Sequence, residues 1–185
     1  MTCTYGCAAR KFQTKVVALG AATLLASLLS YSDAAEKLGA GQEAELWEEI
    51  ANVRFQAARG HDMQGETRKV RAFQAGGLGS PTTPGDELDI AGDEKYWASE
   101  DYQTATKHWE KAAKAFRAVG DLNRATSAME NADAAWEAAR RTLREGIEIH
   151  KMAQEYYETA NIVEKKTAVL GKMARNLERL IEMKR

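Results

Sequence analysis

Few residues in this chain have the types and spacing that chemistry requires. Histidine occurs at His61, His108 and His150, and cysteine at Cys3 and Cys7. No two histidines stand at i and i+4, the spacing that puts two imidazoles on one helix face, and no second cysteine pair accompanies Cys3 and Cys7. The histidine and cysteine pattern therefore predicts no metal centre and no cofactor. The sequence has no GxxxxGK(S/T) loop, no GxSxG elbow and no CxxCH. Acidic neighbours such as Glu43 with Glu45 and Glu48 with Glu49 are what solvated helix surfaces carry. Without strands or glycine loops to hold a reacting group, the chain predicts no catalytic residue and no enzymatic activity.

Other residues suit recognition. Lys107, Lys111 and Lys114 are spaced four and three apart on one side of a helical stretch, and Arg117 extends the row. Such a row can grip acidic side chains or a terminal carboxylate through charge-assisted hydrogen bonds. The competing reading is an ordinary solvated face, with Glu110 and Lys114 as an i,i+4 pair. Tyr156 and Tyr157 are a second partner-binding candidate, because adjacent helical residues cannot both face one core. Trp97, Trp109, Trp136, Tyr102 and Phe116 are expected to be core.

These residues need elements to position them, and the composition says which. The 185 residues carry a net charge of -1, with 44% hydrophobic and 29% charged, so no basic excess argues for nucleic acid. No proline follows Pro84, and after Gly92 the only glycines are Gly120, Gly146 and Gly171. A long breaker-poor stretch rich in Ala, Glu, Lys, Leu and Arg predicts an all-α protein.

Residues 1–32 contain no acid, carry Arg10, Lys11 and Lys15, and then run apolar from Val16 to Leu29. A basic region, a short apolar core and small residues after it predict a signal peptide cut after Ala34. The alternative is an anchor that keeps residues 16–31 in the membrane. Either places the protein outside the cytoplasm: periplasmic, extracellular or lumenal. Residues 35–74 predict a short helical segment, with a stripe of Leu46, Ile50, Val53 and Ala57, an end at Gly60, and a brief second helix from Glu66 to Gln74. Residues 75–92, with Pro81, Pro84 and a run of glycines, predict a linker. Residues 93–185 predict a helical bundle, with Asp93 as its first cap.

Within the bundle, Gly120 and Asp121 predict a turn, the glycine ending one helix and the aspartate capping the next from Leu122. Beyond Arg141, Tyr156, Ala160, Val163, Thr167, Leu170, Ala174, Leu177 and Ile181 alternate by four and three. That seam is expected to pack along neighbouring helices, with a homo-oligomeric coiled coil through Tyr156–Ile181 as the alternative. Periodicity leaves open whether this long C-terminal segment is one helix or two.

Large and small residues alternate through Trp109, Ala113 and Phe116, then Gly120, Ala125, Met129 and Ala132. Over residues 106–139 this order resembles one tetratricopeptide (TPR) unit, and the longer hairpins of SNAP-type adaptors. Met129 stands where the family has an aromatic, and Glu137 where it has a helix-ending proline, so the second helix should run on. No tandem copy follows at the family's period. The resemblance implies an antiparallel hairpin whose first helix lines a peptide-holding groove. The expected function is therefore a non-catalytic protein-interaction or scaffold protein on the extracytoplasmic side of a membrane. The alternatives are an accessory subunit of a larger membrane complex, wrapping its partner with residues 35–92, and a self-assembling structural protein.

Overall fold

Thr83 and Pro84 open a helix well before Asp93. The Thr83 hydroxyl accepts a hydrogen bond from the Asp86 amide at 3.2 Å, and proline follows where its missing N–H costs nothing. The computed structural model describes residues 39–74 and 83–183. Among them are four helices and no strand: α1 (Ala40–Gln74), α2 (Pro84–Ala118), α3 (Leu122–Thr159) and α4 (Val163–Glu182). None of the four is long and apolar enough to cross a membrane. The signal or anchor read before residue 35, Cys3 and Cys7, and most of the glycine-rich connection lie outside the described residues.

Two sequence boundaries are corrected. Residues 86–93 belong to the first turns of α2, not to a linker: Asp86 and Glu87 suit the positive end of the helix dipole, and each charge in the run has a partner on another helix. Gly60 does not end a helix, since α1 runs unbroken through Gly60 and Gly65 and packs along α2. Residues 40–74 are thus part of the bundle rather than a separate piece or an extended arm.

The hairpin read from the sequence is present. Gly120 takes φ +82° and the Asp121 carboxylate accepts from the Arg124 amide at 3.1 Å, so α3 begins at Leu122. Ala112, Ala113, Ala125, Ala128, Ala132 and Ala135 are buried where the two helices meet, with Trp109 and Phe116 filling the space beside them. Met129 packs against the same cluster, and α1 adds Ala44, Trp47, Ile50 and Ala51.

The C-terminal segment is two helices. Tyr156, Tyr157 and Glu158 carbonyls accept the bonds that close α3, and Asn161 turns the chain at φ +55°. Asparagine tolerates that left-handed conformation better than most residues. After the turn, α4 lies along the second half of α3 and reaches α2 through long side chains. The first half of α2 is consequently flanked by all three other helices.

Candidate functional site

The seam from Val163 to Ile181 faces away from the bundle. Val163 is 67% exposed, Leu170 42%, Leu177 46% and Ile181 62%, and Thr167 and Ala174 between them are exposed as well. The sequence expectation that this seam packs on its neighbours is corrected. A second heptad, Val169, Asn176 and Met183, faces inward instead, helped by Met173 and Leu180. Helix α4 therefore has two usable faces, and the periodicity of the larger residues picked out the outer one. Tyr156 and Ala160 belong to the end of α3, so the seam is also shorter than the sequence suggested.

The six partner-binding candidates separate. Lys107, Lys111, Lys114 and Arg117 are all exposed on α2, and the Lys111 ammonium sits 4.1 Å from the centre of the Trp47 ring. A groove of about 470 Å³ opens elsewhere, between α1 and α3 over Tyr102, with Arg59 and Arg141 at its edges. The lysine row does not line it. Tyr157 is corrected as a surface residue: it is 1% exposed, and its hydroxyl donates to Asp86 at 2.8 Å. Gly85 makes this fit, since a Cβ there would stand 2.7 Å from the Tyr157 ring and 2.5 Å from Tyr156. Tyr156 is the half-buried edge residue. Of the expected core aromatics, Trp109, Tyr102 and Phe116 are buried, Trp136 is half-buried, and Trp97 is exposed with its ring edge on His61.

Sequence reasoning did not find the polar layer around the first half of α2. The buried Lys95 ammonium binds Asp62 at 2.5 Å and Glu66 at 2.6 Å on α1, and Glu145 at 2.7 Å on α3. Burial alone would lower its pKa, but the bonds to Asp62, Glu145 and Glu66 outweigh that and raise it above the ordinary lysine value. Gly65 on α1 and Gly146 on α3 let both helices close on this side chain: a Cβ at either would be 3.1–3.2 Å from Lys95 atoms.

One turn earlier, Asp89 and Asp93 face His150 of α3 and Lys172 of α4. Lys172 donates to Asp89 Oδ1 and to Asp93 Oδ2, both at 2.7 Å. His150 is 0% exposed. Its Nε2 lies 3.5 Å from Asp89 Oδ1 and 3.4 Å from Asp93 Oδ1, without a well-formed hydrogen bond. On the ring's other side the buried Asn176 amide is 3.4 Å from Nδ1. Gly92 is what admits the imidazole, since a Cβ there would fall 2.4 Å from ring atoms. The sequence signal was the i,i+4 pair of aspartates, which reads as linker acidity until α2 is known to begin at Pro84.

Comparison with known protein families, with curated proteins and with solved structures finds no match to this chain.

Proposed function

We propose that this chain is a non-catalytic interaction protein that holds an amphipathic helix of a protein partner along the outer face of α4. The observation that carries this reading is the seam itself: Val163, Leu170, Leu177 and Ile181 stay in water on a helix whose opposite face is already engaged. A surface helix ordinarily turns polar residues outward. A row of large apolar side chains exposed along one helix face is suited to binding, and covering it returns about 25 cal/mol per Å². The spacing by four and three is what the knobs of a facing helix fit. The TPR-like hairpin supports a scaffolding role for the rest of the bundle. The basic and then apolar stretch before residue 35 supports a position on the extracytoplasmic side of a membrane.

A second reading, self-association through the same seam, is favoured by its heptad period. One experiment tests both. A photo-crosslinking amino acid placed at Ala174 in the expressed chain should capture a protein, and Leu170→Glu with Leu177→Glu should abolish capture. Capture of a different protein supports the first reading, and capture of a second copy supports self-association. No captured protein, or capture undiminished in the double variant, overturns both.

A further inference from the structure

We infer that Asp89, Asp93 and His150 form a binding site for one divalent transition-metal ion of the zinc or manganese class, with Lys172 as the chain's own competing cation. The donors come from two helices held in fixed register, and one ligand atom from each lies within 4.8 Å of the others. Asp89 and Asp93 are one helical turn apart on α2, so both carboxylates project to the same side.

The cluster is more than acidic. The imidazole of His150 is fully buried, its Nε2 has no well-aligned hydrogen bond, and that atom faces both carboxylates at 3.4 and 3.5 Å. A buried polar nitrogen whose contacts are long and poorly aligned is incompletely satisfied, and a metal bond at that atom would complete it. The nitrogen-to-oxygen separations of 3.4 and 3.5 Å agree with the edges of a tetrahedron whose metal bonds are about 2.0–2.2 Å long. Two carboxylate oxygens and one imidazole nitrogen suit zinc, manganese, iron or cobalt. Magnesium and calcium are better served by oxygen alone. The Asn176 side-chain nitrogen lies 3.4 Å from Nδ1, so in the metal-free ring Nδ1 accepts and Nε2 carries the proton. Metal bonding at Nε2 releases that proton or moves it to Nδ1, where the Asn176 amide, turned over, offers its oxygen as the acceptor. Gly92 holds the space the ring occupies.

Lys172 explains how the site stays closed without metal. Its ammonium bonds both aspartates, which is where positive charge is most wanted. It is partly exposed on a long, flexible stem, so an arriving ion can displace it toward water. Metal affinity should therefore be lower than that of an open site with the same donors, and removal of the ammonium should raise it.

Titration of the tag-free full chain with cobalt(II), followed by visible absorption, tests this. The expected result is one ion bound per chain, with the intense bands of a low-coordinate site and competition by zinc. Lys172→Gln should bind about tenfold more tightly, the equivalent of roughly 1.4 kcal/mol. Asn176→Ala should bind about tenfold or more weakly while leaving the three ligands in place. Asp89→Asn should abolish the bands, as should His150→Gln, with circular dichroism reporting that each variant remains helical. Absence of binding by the wild-type chain overturns the proposal whatever Lys172→Gln does. Binding that persists in folded Asp89→Asn also overturns it.

Discussion

His108 is held neutral by its position. Burial comes first, and the nearby charges of Lys111, Arg54 and Lys107 add to it, so its pKa falls from 6.5 to about 4 while its ring stacks on Trp47 at 5.2 Å. Because the unfolded chain takes up this proton near pH 6.5 and the folded one only near pH 4, stability falls as pH drops through that window. Denaturant melts at pH 7 and pH 4.5 should show the loss, and His108→Phe should reduce it; an unchanged slope would place the acid sensitivity elsewhere. Glycines give a second contrast at this scale. Gly92→Ala forces a methyl group into the His150 ring and should cost about 2 kcal/mol or more, against the usual helix gain. Gly60, with nothing within 4 Å, should gain up to about 1 kcal/mol on the same change. Urea unfolding of the two variants checks the opposite signs. Gly120 and Asp121 were legible in the sequence because a turn is made by its own neighbours. His150 was not, because everything that gives it meaning comes from α2 and α4.

Helix boundaries show the same division between local and distant causes. The start of α3 at Leu122 follows from one capping aspartate. The start of α2 also has local signals, the Thr83 cap, Pro84 and the acidic first turn, but glycines and a second proline beside them read as a linker, and the partners Arg68, Lys165 and Lys172 that hold the run in the bundle come from other helices. The all-α class needed no tertiary information. Which face of α4 turns inward did, because both faces carry an apolar repeat and the inner one includes a polar residue, Asn176. The two faces should respond differently to substitution. Val169→Ala, on the buried side, should destabilise the fold by about 2 kcal/mol. Leu170→Glu, next to it on the exposed side, should change stability by about 0.5 kcal/mol or less. Thermal melts would test the assignment, and comparable losses at both positions would show that the outer seam is not free in the isolated chain.

At the scale of the whole molecule, α2 joins a tightly packed alanine-rich half to a polar half centred on Lys95. Removing that ammonium leaves Asp62, Glu66 and Glu145 facing one another. Lys95→Met should cost about 3 kcal/mol at neutral pH, the low end for a broken buried ion pair because Glu66 and Glu145 remain partly in water. The pH dependence should also invert. In the wild type, chiefly the bond from Lys95 holds the Glu66 carboxyl below its ordinary pKa, so that contribution is lost as pH falls through its titration. In the variant, the crowded carboxylates should take up protons more readily than in the unfolded chain, so acid should partly rescue it. Chemical melts between pH 7.5 and 4.5 measure this, and a variant that weakens in parallel with the wild type would contradict it.

Helix α4 has few fully buried residues, Val169 and Asn176 within its span, and no side chain caps its first turn. With so little of it buried, it should be the first of the four helices to detach, as a unit, while α1, α2 and α3 remain folded. Hydrogen exchange would then show two tiers. The α4 amides would exchange together by a shallow opening, and those at the centre of α2 only by global unfolding. His150 lies on the boundary between the tiers, buried by an element that can leave without the rest.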